Sequence, residues 1–286
     1  MKLQLSSLLS AAALCSTLLG SGASMAQGTW DFGGASCNTS GTPTIAANCA
    51  VGTVTATMSA WGYTTAGTGF VQGNLGEFDP NGFGAYTGKF ETSSGSQHAF
   101  DNLVGACGIT SLAANTGLSA GNSGCGGNVE AMLMSFSTRV SLSQVKIGFF
   151  TGDADVSIYR WDGALGGPTM TSTTAALGGG TLSAGWTLIS SNDMDATNPF
   201  NTGNTGFSSQ FLITTYFGAS TASLDSGNDA FKILNITAGK CTGTLSSANN
   251  GATCTPTGGV PEPASLALVG FALFGATVAR RKVKRA

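Results

Sequence analysis

An all-β fold is what this sequence predicts for its body: an antiparallel β-sandwich, jelly-roll-like, followed by a C-terminal transmembrane helix. Three observations lead there. Alternating or continuous apolar runs recur at least seven times between turns rich in Gly, Ser, Thr and Asn. Strong helix formers such as Glu, Lys and Gln are scarce, since only 9% of the chain is charged while it holds 43 glycines. Beyond the N-terminal segment, six cysteines fall as close pairs, the usage of a stapled domain in an oxidising compartment.

The first residues read as a targeting segment. Lys2 gives a positive start, Leu3 to Leu19 a largely apolar stretch, and Ser24-Met25-Ala26 a small-x-small cleavage site. That pattern predicts a signal peptide over 1–26, cut by signal peptidase before Gln27. Cys15 is rejected as a lipid-anchor site, because Leu14 is too large for the residue that precedes such a cysteine.

The body follows over 27–242. Val54, Ala56 and Met58 alternate with Thr53, Thr55 and Thr57 as one half-buried strand. Val129 to Phe136 is continuous enough to be buried on both faces. Val140 to Phe150 predicts a bent or bulged strand, because its apolar phase shifts between Leu142 and Val145. Val156 to Trp161, Trp186 to Ile189, Gln210 to Phe217 and Ala230 to Ile236 complete the set. Gly-rich stretches at 115–127 and 163–185 read as surface loops, and 243–259 as a Ser/Gly/Asn/Thr-rich spacer that Cys254 partly ties down.

Cysteine spacing suggests neighbour pairing: Cys37 with Cys49, Cys107 with Cys125, and Cys241 with Cys254. Each closed loop would contribute roughly 3 kcal/mol in the chain-entropy account. A zinc site is excluded by the lack of C-x-x-C and by the single histidine. The body carries six Lys/Arg against 13 Asp/Glu, which argues against nucleic acid and against anionic membrane surfaces as partners.

Candidate sites within the body are few. His98 stands three residues before Asp101, but no G-x-S-x-G elbow accompanies them, so a structural role is the stronger reading. Asp153 and Asp155 flank Ala154 at a strand entry, Asp193 and Asp195 repeat the D-x-D spacing, and Asn228-Asp229 precede the last strand. Such oxygens can ligate calcium, which takes six to eight of them, with Asp153 and Asp155 the first choice; turn chemistry is the competing role. No other cofactor is expected. Trp61, Tyr159, Trp161 and Trp186 offer stacking faces for an extracellular polysaccharide, although Tyr159 and Trp161 share the strand face a core would also use. Threonines form no regular T-x-T ladder of the kind an ice-binding face needs.

The C-terminus is the most specific part. Val260 leads into Pro261-Glu262-Pro263, then an uncharged run from Ala264 to Ala279, then Arg280-Arg281-Lys282-Val283-Lys284-Arg285. The run is about 24 Å as a helix, somewhat short of a full span. Five cations in the last seven residues predict an N-out, C-in orientation in the inner membrane. Pro261, Glu262, Pro263, the apolar run and Arg280, Arg281 and Lys282 together resemble the PEP-CTERM sorting signal of Gram-negative bacteria, also named after the C-terminal domain of ice-binding proteins. That resemblance, over 260–286, implies that a membrane-embedded exosortase recognises the Pro-Glu-Pro segment, removes the tail and releases the protein to the cell surface or the biofilm matrix.

A second resemblance spans 97–237. Gln97-His98-Ala99-Phe100-Asp101-Asn102, Val129-Glu130-Ala131-Met132-Leu133, Gly152-Asp153-Ala154-Asp155-Val156-Ser157, Gly185-Trp186-Thr187-Leu188, Gln210-Phe211-Leu212-Ile213 and Gly227-Asn228-Asp229-Ala230-Phe231-Lys232 are together similar to a family of exosortase-dependent surface proteins. Phe211 departs from the Tyr or Trp expected there. The family implies a group and no reaction. The sequence thus leads to the expectation of a non-enzymatic surface or matrix protein, with a carbohydrate-binding module or weak glycan hydrolase as the alternative.

Overall fold

The computed structural model describes residues 25–33, 37, 44–63, 69–78, 80–86, 99–101, 129–150, 153–176, 179–224 and 229–256. In chain order the strands are β1 (Met25–Asp31), β2 (Ala47–Val51), β3 (Val54–Tyr63), β4 (Val71–Gln72), β5 (Asn74–Phe78), β6 (Gly82–Tyr86), β7 (Phe100–Asp101), β8 (Val129–Phe150), β9 (Asp155–Trp161), β10 (Ala175–Ala176), β11 (Thr181–Leu182), β12 (Trp186–Asp193), β13 (Phe200–Asn201), β14 (Ser208–Thr215), β15 (Ala230–Cys241), β16 (Thr244–Leu245) and β17 (Cys254–Thr255). Every ladder between these strands is antiparallel. Among the described residues the one helical element is the 3₁₀ turn Met170–Ser172, and no helix is long and apolar enough to cross a membrane.

The two strands expected at 129–136 and 140–150 are one 22-residue strand, β8, and the fold is built around it. Its first half lies between β3 and β14, and its second half pairs with β15 and β13. The expected phase shift is present: Ala238 pairs with Leu142 and Thr237 with Gln144, leaving Ser143 as the extra residue of a bulge. From β14 the ladder continues through β9 to β12 at one edge. From β15 it continues through β6 to β5, with β1 and β7 also on β15.

The two parts of this sheet close over one core, giving a sandwich-like body. Met132, Met134 and Phe136 from the first half of β8 share it with Val140, Leu142, Val145 and Ile147 from the second. Trp30 of β1 meets Phe136 edge-on at 5.3 Å, and Phe136 meets Phe211 of β14 at 6.1 Å. Val129, Ala131 and Leu133 point the other way, into a second core with Tyr159, Leu212 and Phe217. That is why the start of β8 reads as continuously apolar: both of its faces are covered.

The cover on the second face comes from the Gly-rich stretch 163–185, which is therefore not a loose surface loop. Met170 and Ala175 are buried beneath it, Phe70 N–H donates to Met170 O at 3.1 Å, and Tyr159 Oη donates to Gly180 O at 2.8 Å. Glycine is required where this stretch crosses the sheet, since a Cβ on Gly69 would lie 2.0 Å from Thr171 O. Two expected disulfides, Cys37–Cys49 and Cys241–Cys254, are present. Cys107 and Cys125 lie outside the described residues, as do His98 and the signal-peptide residues before Met25. β1 itself starts two residues before the expected cut, with Met25 opposite Cys241 and Ala26 opposite Lys240.

Candidate functional site

The strand directions give the body two chemically different ends. At one end, β9 begins at Asp155 and β12 finishes at Asp193, and the antiparallel register sets these two residues opposite each other. Asp153 precedes β9 and bridges to Asp229 at the start of β15. Oxygens of Asp153, Asp155 and Asp193 all lie within 4.8 Å of one another. The two D-x-D segments, far apart in sequence, thus form one acidic cluster.

Hydrogen bonds hold its backbone. The N–H of Asp155 donates to Oδ1 of fully buried Asp229 at 2.7 Å, and Met194 N–H donates to Ala154 O at 3.0 Å. Asp153 Oδ1 accepts from Ala154 N–H and Asp193 Oδ1 from Ala196 N–H, as acids at turns do. The hydrogen bond that Asp195 shares with Asp193, then burial, then the charges of Asp193 and Asp153 push the Asp195 carboxyl up to about 6. Such convergence of oxygens can hold a hard divalent cation. Calcium fits the donor chemistry, with Asp153, Asp155 and Asp193 supplying part of its six to eight ligands. Nearby on β15, buried Lys232 sets its ammonium 4.8 Å from the Phe149 ring centroid, and burial holds its pKa below the ordinary lysine value.

The aromatic residues do not assemble into one platform. Tyr159 is 1% exposed and stacks on Phe217, so it belongs to the second core and cannot meet a sugar. Trp161 and Trp186 meet edge-on at 5.4 Å, and the Trp161 indole is flanked by Gly163 and Gly185, whose added Cβ atoms would each come within 2.3 Å of it. Trp61 lies on β3, separated from β12 by β8, β14 and β9, about 19 Å at normal strand spacing. Its Nε1–H donates to Ser59 Oγ at 2.8 Å.

At the other end, residues 243–256 of the expected spacer are folded against the body. β16 and β17 pair, and Cys254 is bonded to Cys241. At the Phe207–Ala252 bridge, Phe207 N–H donates to Ala252 O at 2.7 Å while Phe207 O accepts from Gly251 N–H at 2.8 Å. Arg139 donates to the carbonyls of Ser247 and Asn249 at 2.7 and 2.6 Å. Asn250, 4% exposed, accepts from Ser209 N–H at 2.8 Å and donates to Ala164 O at 3.2 Å. Sequence reasoning found only the Cys254 tie, because the other contacts are to residues remote in the chain. Beside this segment Arg160 grips Asp162 through Nε and Nη2, and Thr187 donates to the same carboxylate at 2.6 Å. Burial alone would raise Asp162, but the hydrogen bonds of Arg160 and Thr187 and the Arg160 charge hold it below its ordinary value.

Pro261, Glu262, Pro263, Arg280, Arg281 and Lys282 lie outside the described residues, as does the apolar run 264–279. Pro261 follows the last described residue, Pro256, by five positions in the chain. The class is then defined: a disulfide-stapled antiparallel β body followed in the chain by a C-terminal sorting segment. The family model of the PEP-CTERM protein-sorting motif matches residues 259–282, and the chain carries that motif. It marks an exported protein whose membrane-anchored sorting signal precedes display at the surface, with an exosortase as the processing partner. Comparison with curated proteins and with solved structures finds no match to the chain.

Proposed function

We propose that the body is a non-enzymatic surface or biofilm-matrix scaffold, anchored C-in by a helix over 264–279 until an exosortase cuts at the Pro-Glu-Pro segment. The observation that carries this reading is the sorting motif at 259–282, which follows a β body whose last described residue is Pro256. Five cations after the apolar run support the orientation. The likeness of 97–237 to exosortase-dependent surface proteins supports the scaffold role. A jelly-roll-like description of the sandwich is supported by β8 serving both layers and by the pairing of β1 with β15. Signal peptidase acts first, before Gln27, and extracellular polysaccharide is the partner such a scaffold would meet. Spreading the aromatic residues over separate places favours this over a carbohydrate-binding module or glycan hydrolase.

Intact-protein mass spectrometry of the mature species, with and without reduction, tests the reading. A mass that starts at Gln27, lacks the tail and gains six hydrogens on reduction is expected. A mass that retains Arg280 to Ala286 and occurs only in membranes overturns the processing step. The scaffold role assigns no catalytic cofactor. Calcium at Asp153, Asp155 and Asp193 is tested in the same material by a thermal-shift titration, where an unchanged midpoint up to millimolar calcium sets the ion aside.

A further inference from the structure

The first described strand and the last described segment meet at one end of the body. Met25 lies opposite Cys241, and Cys241 is bonded to Cys254, so the first and last described residues of the chain sit together. The same end contains the finish of β9, the start of β14 and the bend of β8, because Asn250 reaches Gly163, Ala164 and Ser209 while Arg139 reaches Ser247 and Asn249. On the other side, β9 and β12 carry Asp155 and Asp193 away to the opposite end, about 20 Å along the strand.

Tether length turns this arrangement into an orientation. From Pro256 to the apolar run at Ala264 the chain reaches about 28 Å when fully extended. If the folded segment were free from Cys241 onward, the reach would be about 80 Å. Inverting the body would lift the exit point by the length of β9, about 20 Å, and force the short tether almost straight. Charge acts in the same direction. The exit end presents Arg139 and exposed Lys240, with Asp162 neutralised by Arg160, whereas the far end gathers Asp153, Asp155, Asp193, Asp195 and Asp229 against one nearby buried cation, Lys232.

Resting on the sorting reading above, we infer that the end bearing Arg139, Leu165, Lys240 and residues 244–256 faces an anionic phospholipid surface in the anchored precursor, and that the acidic end faces outward. The folded C-terminal segment is the device that sets this, by shortening the tether roughly threefold. At about 20 Å, more than two Debye lengths in physiological salt, the acidic cluster escapes the repulsion of the bilayer.

The test uses the chain from Gln27 to Ala286 reconstituted through its tail into phosphatidylethanolamine–phosphatidylglycerol vesicles with a headgroup-bound quencher. A fluorophore is placed at Leu165→Cys, where the native side chain is 53% exposed, or at Thr197→Cys beside Asp195. Several-fold stronger quenching at 165 than at 197 is expected, and a flexible Gly/Ser insertion of about 20 residues after Pro256 should abolish the contrast. Equal quenching in the uninterrupted chain, with the protein floating alongside the vesicles, overturns the inference while leaving the anchor intact. A contrast that survives the insertion overturns the tether as its cause. A chain that does not float with vesicles removes the anchor reading and this inference with it.

Discussion

Replacing Cys241 and Cys254 together by serine opens the link that holds residues 242–256 to the end of β15. The two cysteines are 13 residues apart, and closing a loop of that size contributes about 3 kcal/mol in the chain-entropy account. The variant keeps the two Arg139 bonds, the Asn250 bonds and the Phe207–Ala252 bridge, each hydrogen bond contributing about 1 kcal/mol, so the segment should still dock. Its local opening should nevertheless become easier by about 3 kcal/mol, or roughly a hundredfold in the opening equilibrium. Hydrogen exchange reads this directly at Ser246 N–H, bonded to Thr253 O, and Gly251 N–H, bonded to Phe207 O. Both should exchange roughly a hundredfold faster, while amides in β9 and β14 keep their protection. An acceleration below about tenfold, or an equal loss of protection throughout the core, would refute the view that this disulfide specifically secures the segment.

Three other outcomes follow from named contacts. Asp162 has a folded pKa below its ordinary value, so its contribution is present above the ordinary carboxylate range and lost as pH falls through the folded pKa; the midpoint difference between wild type and Asp162→Asn should therefore be largest near neutral pH and vanish in acid. Gly185→Ala places a Cβ 2.3 Å from the Trp161 ring at a φ of +98°, and urea unfolding should show a loss of about 1–3 kcal/mol together with a changed near-UV tryptophan signal. Phe211→Ala removes a fully buried ring from the main core at a cost of about 3–5 kcal/mol by the same measurement, and a loss under about 1 kcal/mol would contradict the packing described.

Where strands bury one face or both, the sequence was readable. The alternation at Val54, Ala56 and Met58 became β3, and the apolar stretches at 156–161, 186–189, 210–217 and 230–236 fall largely within β9, β12, β14 and β15. Even the bulge at Ser143 was visible, because an extra residue must shift the apolar phase. β5 and β6 were not visible: Gly76 and Gly84 pair in their middle, and glycine gives no side-chain pattern to read. Gly82, the first residue of β6, has a φ of +92° and so close an approach to Ile233 O that a Cβ would lie 2.1 Å away, a constraint set by a strand remote in the chain. β1 was hidden for another reason, since its first residues read as a cleavage site and its partner lies more than 200 residues onward.

The candidate site divides along the same line. Each aspartate of the acidic cluster was a local signal, as D-x-D or Asn-Asp at a turn, but only the β9–β12 register and the bridge to Asp229 brought them together. Spacing could not decide which aromatic residues were core, and the structure buries Tyr159 while packing Trp161 between two glycines. By itself the sequence determined the address of this protein, because a sorting signal is a short linear segment read by another enzyme: Pro261-Glu262-Pro263, the apolar run and the terminal cations need no fold to be recognised. Tertiary structure alone decided how the body is attached to that address. The contacts of residues 244–256 with Arg139, Ala164, Phe207 and Ser209 join positions far apart in the chain, and such pairings depend on burial and register that no local pattern records.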